Sequence, residues 1–194
     1  MLKNKPLIFL LEIAILSAAA FVLELFSFQP WPQGGSVSLS MIPVFLVAFR
    51  WGLSGGLFAG LILGLLNMMF GGYIATPVQA FLDYIAAFSL LGIAGLFAKP
   101  AMKQLKQNNK ELAALYVTAG VLLASFLRFL CHFTAGVVFF GEYAPEGTPV
   151  WLYSLLYNGS FMLPIFVIGA IVMNVLVLNS SRLFQRTSSN QAQM

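Results

Sequence analysis

Charge is what this 194-residue chain has least of: Asp, Glu, Lys and Arg together make up 8% of it, while 60% is hydrophobic. A soluble domain carries about 25% charged residues, so this chain cannot coat a globule with solvated side chains. It is equally unlike a disordered chain, which is poor in aromatics; here there are 19 Phe. A single cysteine, Cys131, excludes an intramolecular disulfide and reads as a small packing residue. A single histidine, His132, beside that lone thiol leaves too few soft ligands for a zinc site, and no metal is expected. His-x-x-x-His, Gly-x-Ser-x-Gly and P-loop patterns are also missing, which removes the usual motif routes to catalysis or nucleotide binding.

What remains is apolar length. The chain is expected to be a single all-α integral membrane domain over 1–194, a compact bundle of six transmembrane helices. The runs lie at about 7–26, 39–49, 52–70, 77–98, 112–139 and 150–178, with a polar tail over 179–194. The second is too short to cross a membrane alone. The basic N-terminus, an apolar run and Ala18-Ala19-Ala20 imitate a signal peptide. Glu12 interrupts that run and further spans follow, so the segment reads as a retained first helix.

The charges then orient the bundle. Lys3 and Lys5 precede the first helix, Arg50 sits between the second and third, Lys99, Lys103, Lys106 and Lys110 between the fourth and fifth, and Arg182 and Arg186 after the sixth. With six spans, all fall on one side. The opposite loops carry only Glu142 and Glu146. The positive-inside rule therefore places both termini in the cytoplasm, and the net charge of +4 needs no nucleic acid to explain it. Small residues form two stripes. Gly52, Gly56, Gly60 and Gly64 recur at every fourth position and read as a close helix crossing within the chain. Ala14 and Ala18 pack either internally or against a partner subunit.

Ionisable groups inside a membrane are costly and mark functional sites by default. Five lie within the spans: Glu12, Glu24, Asp83, Arg128 and His132. Helix directions put Asp83, His132, Tyr153 and Asn158 in the half opposite the lysines, with Tyr73 and Trp31 in loops on that side. Asp83 offers a carboxylate to a cation, the tyrosines and tryptophans offer flat faces, and Asn158 and His132 offer hydrogen-bonding edges. A small, flat, cationic heterocycle suits that set. Arg128, four residues from His132 on one face, reads as a structural partner, and a structural ion pair between it and Asp83 is an alternative to a ligand role for Asp83.

The run from His132 through Gly136, Phe140, Tyr143, Pro145 and Gly147, followed by Tyr153 and Asn158-Gly159, resembles the thiamine-specific substrate-binding (S) component of energy-coupling factor (ECF) transporters. Tyr73 through Asp83-Tyr84, and Met41-Ile-Pro43 before Arg50-Trp-Gly52, are similar to that family too, so the likeness spans the chain. The resemblance implies a vitamin-binding subunit of a bacterial plasma membrane that captures extracellular thiamine. It would assemble with a transmembrane coupling subunit and two ATPases, which use the ATP, and would bind no cofactor and catalyse no reaction itself. By the family pattern the ligand contacts are Trp31, Tyr73, Asp83, Tyr84, His132, Gly136, Phe140, Tyr153 and Asn158. Ala14 and Ala18 match the family's docking motif for the coupling subunit. The first outer loop, 27–38, is expected to close over the ligand, and Gly136 to let the ligand approach closely. Two departures stand out. The family's acid is usually glutamate where this chain has Asp83, and its tryptophan is Phe140 here; both point to lower affinity or to an analogue or precursor as ligand. A second reading is an S component for a thiamine precursor or another vitamin. A third is an intramembrane enzyme with Asp83 and His132 as base and acid.

Overall fold

The computed structural model describes residues 5–32 and 34–184, with the side chains of Lys5, Ser181 and Arg182 excepted. Lys3, Arg186 and the end of the polar tail lie outside the described residues. Long apolar runs can satisfy their own backbone in lipid only as helices, and helices dominate: α1 (Lys5–Glu24), α2 (Met41–Phe70), α3 (Pro77–Lys106), α4 (Lys110–Phe139) and α5 (Val150–Asn179). No strand occurs among the described residues beyond an isolated antiparallel bridge between Phe28 and Val37. All five helices are long and apolar enough to cross a membrane.

The sequence predicts two helices at 39–49 and 52–70; the chain instead runs through both as α2, broken at Gly52. Gly52 has φ 79° and ψ −166°, a left-handed φ that residues with a side chain seldom adopt. The break is sharp. A Cβ built on Gly56 would lie 2.7 Å from the Cβ of Ala48, although residues eight apart in a straight helix are about 12 Å apart along the axis. The two arms of α2 are thus folded against each other.

The glycine stripe packs inside the molecule. A Cβ on Gly56 would meet the Cα of Gly92, one on Gly60 would overlap the Phe88 carbonyl, and one on Gly64 the Tyr84 carbonyl. As the glycine number rises by four, the partner number falls by four, the register of two antiparallel helices in backbone contact. Lipid supplies no hydrophobic drive to hold helices together, so this close fit does it.

α3 is not uniform. Thr76 caps it, its Oγ1 accepting from the Gln79 amide at 3.1 Å, and Pro77 occupies the first turn. A π-helical turn spans Phe81–Ala86 and a 3₁₀ stretch spans Leu90–Phe97. Beyond Phe97 the expected polar connection continues as helix to Lys106 because Ala98 and Ala101 are buried while Lys99, Lys103 and Lys106 stay exposed. Asn108, at φ 58°, turns the chain into α4.

Glu12, whose purpose the sequence left open, braces the lysine-bearing end. Its carboxylate accepts from Arg50 Nε at 2.6 Å and Nη2 at 2.8 Å, and from Trp51 Nε1 at 2.7 Å. Arg50 Nη1 also donates to the Leu183 carbonyl at 2.6 Å, tying α1, the break in α2 and the turn Ser181–Phe184 together. The core lies between these ends, around Met41, Phe45, Leu63, Leu91 and Met173.

Candidate functional site

At the end of the bundle away from the lysines the helices part around a cavity of about 410 Å³. Its walls come from the C-terminal end of α1, the loop after it, the α2–α3 junction, the first turns of α3, the last turns of α4 and the first turns of α5. Tyr73, Asp83, Tyr84, His132, Gly136, Phe140, Tyr153 and Asn158 all line it, so eight of the nine ligand contacts expected from the sequence converge. Trp31 does not line it. Its ring stands behind Phe161, at 5.7 Å between centroids, and Nε1 donates to Ser160 Oγ at 2.7 Å.

A chain of hydrogen bonds crosses the cavity. Gln79 Nε2 donates to Asp83 Oδ2 at 2.7 Å; Asp83 Oδ1 lies 2.8 Å from His132 Nδ1; Arg128 Nε donates to His132 Nε2 at 3.2 Å. No ion pair joins Arg128 to Asp83 among the described residues: the arginine reaches the carboxylate through the histidine. The guanidinium carbon sits 4.1 Å from the centre of the Phe88 ring, a cation–π contact. The alternative of a direct Arg128–Asp83 pair thus gives way to a relay, because the i, i+4 spacing on α4 already brings the arginine against the imidazole.

Gln79, which the sequence does not single out, is among the most buried polar groups at the site, at 1% exposure. Its amide also donates to the Tyr73 carbonyl at 3.3 Å and accepts from the Ala75 amide at 2.9 Å. It therefore fixes the loop carrying Tyr73 while it holds Asp83. Its sequence signal is its place one turn before Asp83 and three residues after the Thr76 cap. Tyr84 adds a second tie, its hydroxyl donating to the Tyr73 carbonyl at 3.2 Å.

Glu24 accepts from Ser38 at 2.6 Å and from Ser36 at 3.0 Å, pinning the loop to the end of α1. The Phe28–Val37 bridge closes that loop, and Gln29, Gly34, Gly35 and Ser36 form one wall of the cavity. Gly35 is needed there: a Cβ would come within 2.9 Å of both Trp31 and Phe161.

On the facing wall, Gly136 has a use other than the one expected. A Cβ there would overlap Ser154 Oγ and come within 3.1 Å of Asn158 Nδ2, so the glycine admits α5 side chains against α4. Ser154 Oγ donates to the Phe133 carbonyl at 2.8 Å, and Asn158 Nδ2 donates to the Ser154 carbonyl at 2.9 Å. With its amide nitrogen held, Asn158 presents Oδ1 as an acceptor. Tyr73 and Phe140 pack at 5.8 Å and Phe140 and Tyr143 at 6.2 Å near the mouth. The Tyr143 phenol there is held above its ordinary pKa, first by its hydrogen bond with Tyr73.

The model of the thiamine transporter protein family matches residues 10–185. The chain belongs to that family. It is 46% identical over 186 residues to the thiamine transporter ThiT of Bacillus subtilis (strain 168), a match covering 94% of this chain and 97% of that protein. It is 35% identical over 188 residues to ThiT of Lacticaseibacillus paracasei, covering 95% and 94%. The solved structure of ThiT from Listeria monocytogenes superposes with a TM-score of 0.88 at 36% identity, covering 94% of this chain and 100% of that one. A solved S component of a bacterial ECF transporter shares the fold, with a TM-score of 0.62 at 19% identity over 94% of this chain and 100% of that one.

For a thiamine transporter family member, the charge count of the cavity is informative. Glu24, Asp83 and Arg128 all line it; two carboxylates against one guanidinium leave a formal charge of minus one, with His132 counted as neutral. Ala14 and Ala18 are far from this chemistry. They lie on the exposed face of α1, opposite the buried Ser17, whose hydroxyl donates to the Ala59 carbonyl at 3.3 Å.

Proposed function

We propose that this chain is the thiamine-capturing S component of an ECF-type importer in a bacterial plasma membrane. The observation that carries the reading is the cavity: closed on one side by the first loop, walled by aromatic rings, and bearing one net negative charge. Its volume of about 410 Å³ falls within the range of sites for small organic ligands. Thiamine is a monovalent organic cation made of two flat rings. Asp83 balances the thiazolium, while Tyr73, Phe140 and Tyr157 present ring faces. The Asn158 carbonyl oxygen accepts from the exocyclic amine of the pyrimidine.

The folded-back arms of α2 support a topology of six membrane segments with both termini in the cytoplasm and the cavity facing outside. The exposed Ala14 and Ala18 form a flat strip against which the coupling subunit packs. Two ATPase subunits supply the energy; this chain itself binds no ATP and catalyses no reaction.

Thiamine titrated into the purified chain, followed by calorimetry, tests the assignment, together with mass spectrometry of any ligand that copurifies. Saturable binding of thiamine at one site is expected. Absence of binding at micromolar thiamine, with a different vitamin found in the preparation, would overturn it.

A further inference from the structure

Arg128 is 6% exposed and has no carboxylate partner among the described residues, yet it is firmly placed. The Phe88 ring supports one face of its guanidinium, and Phe88 is itself positioned by the crossing at Gly60 and Gly64. A guanidinium has donors and no acceptor. The atom that receives Nε–H, His132 Nε2, must therefore carry a lone pair. A ring with a lone pair on Nε2 is uncharged and holds its proton on Nδ1. Nδ1 faces Asp83 Oδ1 at 2.8 Å, so it donates there. The contact between His132 and Asp83 is thus a hydrogen bond from a neutral ring and not an ion pair.

The consequence for the cavity is electrostatic. A doubly protonated His132 would cancel the Asp83 charge and bring the sum over Glu24, Asp83, Arg128 and His132 to zero. We infer that Arg128 is a positioning residue: through His132 Nε2 it holds the imidazole as the neutral Nδ1–H tautomer, preserving one negative charge for a monovalent organic cation. The identity of that cation rests on the proposed function, whereas the hydrogen-bond chain stands without it.

His132 is the only histidine in the chain, so ¹⁵N-histidine labelling with a histidine-free affinity tag gives the spectrum of one ring. At neutral pH the wild-type protein, without ligand, is expected to show a protonated Nδ1 and a lone-pair Nε2. Arg128→Met should abolish that signature, and Arg128→Lys, which retains a cationic donor, should restore it. An Nε2–H tautomer or an imidazolium in the wild type overturns the inference, and this spectrum decides even if Arg128→Met fails to fold. So does an unchanged tautomer in folded Arg128→Met. A wild-type protein with the expected signature that binds no thiamine supports the tautomer and overturns the thiamine assignment.

Discussion

Gln79 and Asp83 act as one unit: the amide of the first donates to Oδ2 of the second at 2.7 Å, one helical turn apart, at the capped start of α3. With His132 on Oδ1, both carboxylate oxygens are held, and the side chain has a single orientation before any ligand arrives. Asp83→Asn keeps the shape and removes the charge. Removing one partner of a buried charge pair costs about 3–5 kcal/mol, so thiamine affinity should fall by at least about a hundredfold, read by calorimetry. Unchanged affinity would take Asp83 out of the site.

Gln79→Leu tests the support instead of the charge. It leaves the Ala75 amide and Asp83 Oδ2 without the Gln79 side chain, while the Tyr73 carbonyl keeps the Tyr84 hydroxyl. Each unsatisfied group costs about 1–3 kcal/mol. A drop in Tm of roughly 4–8 °C is expected for about 2 kcal/mol, with weaker thiamine binding. A variant as stable as the wild type would show that the loop is held by other means.

Trp31 is placed to report ligand rather than to hold it. Trp51 is bonded to Glu12 at the far end, and Trp151 is 55% exposed at the start of α5. Trp31 alone of the three packs on a ring of the cavity wall, Phe161. Trp31→Phe should remove most of the thiamine-dependent change in tryptophan emission while calorimetric affinity changes less than about tenfold, the scale of one aromatic contact. A fluorescence response retained in full would assign the signal elsewhere.

At the opposite end, Glu12→Gln loses a two-pronged contact with Arg50. Charge-assisted hydrogen bonds contribute about 1.5–3 kcal/mol. Thermal unfolding in detergent should shift down by roughly 4–8 °C, with thiamine affinity unchanged once the protein is folded, because the pair is remote from the cavity.

The membrane class, the apolar runs and most cavity residues were legible in the sequence because lipid leaves few alternatives to helices and makes buried charge conspicuous. Asp83 and His132 stood out for that reason. Gln79 did not, since an uncharged amide inside a helix carries no such cost signal; only the fold shows it bridging a loop and a carboxylate. Gly52 was read as one of a stripe, and its positive φ, which converts two expected helices into one broken run, depends on tertiary packing that composition does not encode. For Arg128 the sequence leaves both Asp83 and His132 open as neighbours, because spacing along α4 and distance between α3 and α4 compete, and only coordinates decide that contest. Trp31 was placed a layer too close, as loop residues have no periodicity to orient them.

The crossing of α2 and α3 also sets a dimension. The carbonyl beneath Gly64 belongs to Tyr84, the residue after Asp83, and that beneath Gly60 belongs to Phe88, which bears Arg128. A single methyl group on either glycine would push the carboxylate, or the ring under the guanidinium, toward the opposite wall. The bore of the cavity is thus gauged by two missing carbon atoms on a helix face outside its lining, and a substitution behind the wall should change the girth it admits.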